Sequence, residues 1–448
     1  MSLKVIELND SCLTVGDENG IVSQTIGFAL VTSDKIEVGE KAEGQACLEP
    51  TNIFNKYWQE LSLEPISHSP KIRHHADLAY AQLKNIAEVN GVDDEVIFAV
   101  PSNFTRQQLE ILLGLANQCP FRVVGLVDSG LLAAASTVKA EHIVYVDIQL
   151  HQVILTELSV TGGHIEVRGV TQIPGVGIQN FQNLMMRMAT DLFIAQCRFN
   201  PQHNAYTEQQ LYNELSSWFF QDDKEQTFLL ELKSGDAAHT AKLPKESLVA
   251  ALQEYYQKIN EQIKVMASSN SQLLLSENLS GLPGYVSTLS SIHNLVLIER
   301  SQITKACCNF KTLIIDDKEQ AHLVTRFVAE EIGIHKSAHR PAEHHLDIAT
   351  HILYDNKAIK ICDIEIKSSI PERANFDSSN VLYMNLKTSA ERLGNIDKRG
   401  DTVYFNCGDH RVFLNDNIIT GEHVLKLGDR IRFSEQSKAI SVIKVENG

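Results

Sequence analysis

Residues 143–147 read IVYVD, four apolar residues followed by a carboxylate. A short continuous run of this kind predicts a strand that is buried on both faces. A polar turn and a second apolar run at 153–158 follow it, which predicts a β-hairpin with Asp147 beside its turn. Residues 3–8 open the chain in the same way, with Glu7 in the place of Asp147. Two hairpins that each carry an acid at the end of the first strand indicate an internal duplication.

The segments after each hairpin alternate between strand and helix patterns. In the first half, 96–100 and 123–127 are apolar runs, and helical spacing begins between them with Thr105 as N-cap. The second half continues with a helical stretch from the turn at 174–177 to about residue 220. This alternation predicts an α/β sheet with right-handed crossovers.

Composition and charge restrict the classes of partner. The 448 residues carry a formal net charge of −16, which repels phosphate backbones, so we expect neither nucleic acid nor anionic membrane surfaces as partners. The 8 cysteines are scattered without metal-ligand spacing, which is typical of reduced thiols. The first residues lack a signal-peptide pattern and no later run reaches membrane-spanning length, so we expect a cytoplasmic location and no membrane insertion.

Several short motifs occur in the order in which they occur in the ATPase domain of DnaK-type heat-shock chaperones. They are VGEKA at 38–42 with QA at 45–46 and PTN at 50–52, AVPSNF at 99–104, VDSG at 127–130, GVG at 175–177 with Phe181, and ELSS at 214–217. The chain therefore resembles the actin-like ATPase superfamily, and this group most closely, over about residues 3–310. The resemblance implies an α/β fold with two duplicated lobes, followed here by a small C-terminal all-β domain.

The resemblance and the change of texture along the chain imply a division into domains. The expected parts are a first lobe at 1–140 with an upper subdomain inserted at about 34–93, a second lobe at 141–310 with an upper subdomain inserted at about 186–262, a connector at 311–342, and a β domain at 343–448. Within the last part, 411–419 and 425–433 resemble the closing hairpins of forkhead-associated domains. The elements with which that family reads phosphothreonine are not visible, so only the β-sandwich scaffold is suggested.

The resemblance also implies a nucleotide site between the two hairpins. In that family, backbone N–H groups of glycine-rich turns approach the phosphates, and acidic residues hold Mg²⁺ or orient water. The implied catalytic pair here is Glu7 and Asp147, and the implied ligands of Mg²⁺ are these two and Asp10. The implied contacts to ATP or ADP are Asn9, Asp10, Ser11, Lys56, Gln149, Gln209, Tyr212, Ser216 and Glu277.

The phosphate-binding turns depart from the family pattern. Asn9 replaces a glycine, although asparagine can adopt positive φ. Asp10 replaces an uncharged hydroxyl residue, and its carboxylate would repel a phosphate. Gln149 begins a run of side chains that replaces the second glycine turn. Taken alone, these polar residues at strand ends are ordinary turn and capping groups, and only their symmetric placement favours a site.

Three functions remain open from the sequence. The first is a degenerate relative of the chaperone ATPase that binds nucleotide weakly or not at all and acts as a scaffold, with a protein partner at the interlobe cleft or the β domain. The second is an active Mg²⁺-ATP hydrolase, and the third is a filament-forming or secretion-associated actin homologue. Peptide refolding is not expected, because the region after about residue 340 lacks the pattern of a chaperone substrate-binding domain.

Overall fold

A computed structural model describes residues 3–66, 72–216, 227–268, 270–289, 294–315, 321–332, 349–355, 357–368, 381–384, 392–399, 402–408, 410–415, 417–434 and 437–443. The chain divides into two compact units, Met1–His335 and Lys336–Gly448. The first unit is mixed α/β and the second is rich in strands, as the sequence predicts at this coarser level.

The first unit contains helices and strands in alternation. Its strands are β1 (Lys4–Glu7), β2 (Leu13–Asp17), β3 (Gly20–Thr25), β4 (Ala29–Val31), β5 (Ile36–Val38), β6 (Ile53–Phe54), β7 (Glu95–Val100), β8 (Arg122–Asp128), β9 (His142–Ile148), β10 (Gln152–Thr161), β11 (His164–Pro174), β12 (Thr227–Ser234), β13 (Ala237–Pro244), β14 (Gln272–Ser276), β15 (Leu295–Ile298), β16 (Leu323–Val324) and β17 (Arg326–Val328). Its helices are α1 (Glu40–Glu43), α2 (His75–Asn90), α3 (Arg106–Ala116), α4 (Ser129–Ala135), α5 (Ile178–Cys197), α6 (Ala205–Ser216), α7 (Lys245–Met266), α8 (Glu277–Ser280), α9 (Arg300–Asn309) and α10 (Lys311–Ile314). Single 3-10 turns lie at Pro201–His203 and Val286–Leu289.

Two mixed sheets in this unit have the same strand topology over five strands. The first has the order β16–β8–β7–β1–β2–β3, and the second has the order β15–β14–β9–β10–β11–β17. In each sheet the opening strand, β1 or β9, pairs antiparallel with its hairpin partner and parallel with the strand on its other side. The five strands β8–β7–β1–β2–β3 therefore match β15–β14–β9–β10–β11 in order and sense.

A shared core lies between the two sheets. Val5 of β1 and Tyr145 of β9 belong to the same buried cluster as Leu131 of α4 and Ile303 of α9. Each of these helices follows the last parallel strand of its sheet, and the two helices contact each other. Ile6, the neighbour of Val5, belongs to a different cluster on the opposite face of the first sheet, as strand alternation requires. The strands β1, β7 and β9 are therefore buried on both faces, as their continuous apolar sequences predict.

One short segment joins the edges of both sheets. Its strand β16 pairs parallel with β8 at the edge of the first sheet, and its strand β17 pairs antiparallel with β11 at the edge of the second. Residues 323–328 thus add a strand to each sheet within six residues of chain. This is the one place where the matching plans of the sheets differ, because the extra strands lie at opposite ends of the order.

The helical stretch predicted from 178 to about 220 is wrong as a single element. It divides into α5 and α6, because Arg198 adopts the left-handed conformation (φ 53°) that ends α5, and Pro201 begins a 3-10 turn. Residues 217–220 lie outside the described part of the chain. The hairpin β12–β13, which the sequence analysis did not identify, packs its inward side chains against α5 and α7.

The second unit contains two sheets around one core. Its strands are β18 (His351–Tyr354), β19 (Lys357–Lys360), β20 (Ile364–Ser368), β21 (Val381–Met384), β22 (Arg392–Arg399), β23 (Thr402–Asn406), β24 (Val412–Leu414), β25 (Asn417–Ile419), β26 (Glu422–Leu425), β27 (Arg430–Arg432) and β28 (Ile440–Ile443). The sheets have the orders β19–β18–β28–β27–β24–β25 and β21–β20–β22–β23–β26. Ile352 and Ile431 belong to the first of these sheets, and Ile396 and Phe405 belong to the second. All four lie in a single buried cluster. This is the arrangement of a β-sandwich.

The close packing of Gly177 against the turn after β9 is directly testable. A Cβ added there would lie 2.4 Å from the backbone nitrogens of His151 and Gln152, so Gly177→Ala must displace that turn. We expect it to lower the free energy of unfolding by roughly 2–4 kcal/mol, measured by urea denaturation. Gly114→Ala is the matched control, since Gly114 lies in α3 with open space at its Cβ, and it should stabilise the chain by about 0.5–1 kcal/mol. Equal effects of the two changes would contradict the packing described.

Candidate functional site

The turns of the two opening hairpins are bonded directly to each other. The Asn9 side-chain amide donates to Asp147 Oδ2 (2.8 Å) and to the Ile148 carbonyl (3.0 Å). The Leu150 N–H donates to Asp10 Oδ1 at 2.8 Å, across the same gap. Ser11 Oγ lies 2.9 Å from the Ile148 carbonyl oxygen. Polar side chains of the first turn therefore fill the space between the two hairpins.

Asn9 does not adopt the positive φ that asparagine can adopt in place of a glycine. It is not among the residues with positive φ, and its side chain serves as the bridge between the halves instead. Gln149 is buried and exchanges hydrogen bonds with Asn103, in the loop after β7, with both distances at 3.3 Å. Its side chain occupies the second turn, as the sequence analysis proposed.

Three carboxyl groups are buried around this contact. Burial, together with the nearby charge of Asp147, raises the pKa of Glu7 from 4.5 to about 8, although Arg300 partly opposes the shift. Burial also raises the pKa of Asp147, while hydrogen bonds from Ser276 and Asn9 oppose that shift. The pKa of Asp10 rises from 3.8 to about 7, mainly through burial. Near neutral pH this cluster therefore retains protons that exposed carboxyl groups would release.

The space beside the acidic pair is small. Glu7, Asn9, Asp147 and Glu277 line a cavity of about 20 Å³, which is close to the volume that one water requires. Ligand pockets for molecules the size of a nucleotide are on the order of 300–1,000 Å³. Among the described residues, no group of three or more His, Cys, Asp or Glu side chains is placed to hold a metal ion. The residues at this position do not fit a nucleotide phosphate with its Mg²⁺.

The upper parts of the two halves are also bonded to each other, through α1 and α6. Gln209 on α6 accepts a hydrogen bond from the Cys47 N–H (2.7 Å) and donates to the Glu43 carbonyl (3.2 Å). The hydroxyl of Tyr212 lies 3.5 Å from Glu43 Oε1. Burial and the neighbouring Glu40 raise the pKa of Glu43 to about 7. Two side chains that the resemblance assigns to nucleotide binding thus contact the opposite half of the first unit.

The predicted site residues do not meet in one cavity. Glu7, Asn9, Asp147 and Glu277 line the small cavity, and Asp10 and Gln149 line a different cavity of about 550 Å³. Tyr212 lines a third cavity of about 570 Å³, beside Phe28, Arg187 and Tyr255. The resemblance implies a single nucleotide site, whereas the structure distributes these residues over separate spaces.

Three further predicted residues have ordinary local roles. Lys56 is exposed and lines none of these three cavities. The Ser216 hydroxyl lies 3.4 Å from the Tyr212 carbonyl, one turn back in the same helix. Glu277 accepts a hydrogen bond from the Arg300 N–H (2.9 Å) and pairs with its guanidinium at 3.5 Å.

Two groups at the site were not found from the sequence. Arg300 begins α9 and counteracts the raised pKa of Glu7. Asp128 caps α4 after β8, and Glu299 is the N-cap residue at the equivalent position, between β15 and α9. An alignment of the two halves would therefore have pointed to the start of α9, where Arg300 lies. The amide of Gln152 donates to Gln149 Oε1 at 2.8 Å and extends the polar wall toward Asn103. No residue pattern in that loop indicates this bond.

No protein family model matches the chain, and a search of curated proteins finds no match either. Within the described residues, every helix is too short or too polar to traverse a lipid bilayer.

The raised pKa of Asp10 predicts how stability changes with pH. The folded chain keeps a proton that the unfolded chain releases between about pH 4 and pH 7, so this contribution to stability is complete below about pH 4 and is lost as the pH rises through about 7. Asp10→Asn keeps an oxygen to accept from Leu150 and has no charge. At about pH 8 we expect it to raise the free energy of unfolding by roughly 2 kcal/mol or more, with a much smaller effect near pH 4.

Urea denaturation at both pH values measures this difference. Asp191→Asn, which removes an exposed carboxylate on α5, is the control and should change stability little at either pH. If Asp10→Asn is destabilising to the same extent at both pH values, then the buried carboxyl is not the group that titrates.

The contact between α6 and α1 predicts a local change in hydrogen exchange. Gln209→Ala removes the acceptor of the Cys47 N–H, so this amide should exchange about tenfold faster. Gln210→Ala is the control on the same helix, because Gln210 bonds Lys233 within its own half. Hydrogen–deuterium exchange followed by mass spectrometry of residues 40–49 separates the two variants. Equal protection in both would show that Gln209 does not hold the halves together.

Proposed function

We propose that the first unit is a degenerate member of the actin-like superfamily, closest to the ATPase domain of DnaK-type chaperones. Its two halves correspond to the duplicated lobes, and α4 and α9 correspond to the helices that connect them. The matching order and sense of five strands in each sheet support this assignment. So do the positions of the hairpin acids Glu7 and Asp147, which lie at equivalent strand ends.

The proposed activity is that of a scaffold that does not use nucleotide. The observation that carries this proposal is the direct bonding of Asn9 and Asp10 to the second hairpin at 2.8 Å. In a working phosphate site, the ligand would separate these two turns and would be bound by their backbone N–H groups. Here the Leu150 N–H is already bound by the side chain of Asp10, so it is not free to bind a phosphate oxygen.

The contact between the upper parts supports the same proposal. Gln209 and Tyr212 bond or approach Glu43 and the Cys47 backbone, so they hold the two halves together without a ligand. A fixed arrangement of the lobes presents one surface to a binding partner. We propose a protein as that partner, bound at the cleft or at the second unit, whose two-sheet core supports a forkhead-associated-like sandwich.

One observation favours the alternative of an active Mg²⁺-ATP hydrolase. Glu7 and Asp147 are buried acids with raised pKa values, which is a common property of catalytic groups. Turnover would then require the turns to separate and these carboxyl groups to ionise. In that case Glu7→Gln should abolish hydrolysis while the fold remains intact.

A nucleotide titration decides between the two functions. We expect no change in melting temperature and no heat of binding with ATP or ADP at about 1 mM, with or without Mg²⁺. A site with a Kd of about 10 μM would instead stabilise the folded chain by about 2.7 kcal/mol at that concentration. A saturable rise in melting temperature, together with phosphate release that Glu7→Gln eliminates, would overturn the scaffold proposal and establish the hydrolase.

A further inference from the structure

The cavity of about 550 Å³ lies beside the bonded hairpin turns and has walls from both halves of the first unit. Asp10 comes from the first hairpin, and Gln149 and Gln152 come from the second. The N-terminal end of α3, including Gln107, and the segment from Trp58 to Ile66 form the remaining sides. Its volume is within the range of small-molecule sites, about 300–1,000 Å³.

Side-chain amides dominate the polar lining. The amides of Asn103, Gln149 and Gln152 form a connected wall, in which Gln152 Nε2 donates to Gln149 Oε1 at 2.8 Å. The remaining amides are those of Gln59, Gln107, Gln108 and Gln172. A carboxamide carries both a donor and an acceptor, so it complements groups that also donate and accept. Hydroxyl groups have this property.

Part of this wall is weakly satisfied without a ligand. Asn103 and Gln149 exchange two hydrogen bonds, and both are 3.3 Å long, whereas N–H···O bonds are usually about 2.9–3.0 Å. A ligand hydroxyl between them could replace two long bonds with shorter ones. Phe104, half-buried at the cavity, offers an apolar face next to these polar groups.

The lining offers little to bind an anionic ligand. Glu60 and Glu64 are acidic, no Lys or Arg is among the described residues that line the cavity, and His75 lies beside Glu60, with Nδ1 3.9 Å from Oε2. A phosphate or nucleotide would therefore meet carboxylates with no Lys or Arg to pair with. Glu60 and Glu64 are exposed, so water screens their attraction for a cation, and the buried Asp10 oxygen already accepts from Leu150. The buried part of the wall therefore favours an uncharged ligand.

We propose that this cavity binds a small, neutral, polyhydroxylated molecule of the saccharide or polyol class. Asn103, Gln149 and Gln152 bind its hydroxyl groups, Gln107 contacts it at the rim, and Phe104 packs against its C–H face. This site goes beyond the scaffold function proposed above. Asp10 of the first hairpin and Gln149 of the second both line this cavity, but the two proposals do not depend on each other.

Saturation-transfer NMR on the full chain tests the site with D-glucose, maltose and sorbitol as neutral probes. Spermidine serves as the cationic probe and ATP as the anionic probe. We expect saturable binding of at least one neutral probe at concentrations up to about 10 mM, and no comparable binding of the charged probes. Absence of saturable binding by all three neutral probes, or tighter binding of spermidine or ATP, overturns the proposal.

Variants assign the binding to this cavity. Gln149→Leu should weaken binding of the neutral probe about tenfold, and Gln107→Ala, at the exposed rim, about threefold. Gln210→Ala, which is outside the cavity, should leave binding unchanged. If Gln149→Leu fails to fold, Gln107→Ala still decides, and unchanged binding in Gln107→Ala then overturns the assignment. Failure here does not affect the nucleotide titration, which reports on the scaffold proposal separately.

Discussion

The hydrogen bonds between the two hairpin turns set the separation of the two sheets in the first unit. Asn9 reaches Asp147 and Asp10 reaches Leu150, so residues about 140 positions apart are fixed to each other at 2.8 Å. The shared core around α4 and α9 lies between the same two sheets and supports this arrangement from within. A chain that bonds its halves in this way has a preformed cleft whose shape does not require a ligand.

The contact between the two turns buries three carboxyl groups, and protonation lowers the electrostatic cost of burying them. Glu7, Asp10 and Asp147 are all nearly inaccessible to water, and ionising all three together would place like charges in a low-dielectric space. Arg300 is the cation that favours ionisation of Glu7. Hydrogen bonds and retained protons balance these groups. The same acids therefore have a structural role in the closed form.

The sequence predicts the sheets better than it predicts the site. Apolar runs such as 96–100 identify the buried strands, because burial on both faces requires continuous hydrophobic sequence. The hairpin β12–β13 was not predicted. Phe228, Leu230 and Leu232 alternate as in a half-buried strand, but the exposed Leu229 between them interrupts the apolar–polar pattern. The bond between Asn9 and Asp147 depends on how two distant turns approach. No local sequence pattern predicts the distance between these two turns.

The segment with β16 and β17 also constrains how the first unit assembles. β16 pairs with β8 and β17 pairs with β11. The β8 edge of the first sheet and the β11 edge of the second therefore stay unpaired until residues near 325 have left the ribosome. Contacts so distant in sequence carry a large loop-closure entropy and slow the search for the native topology. During synthesis, the backbone groups at these two edges remain open to non-native pairing until the segment arrives. Neither sheet of this unit can therefore be completed before residues 323–328 have been synthesised.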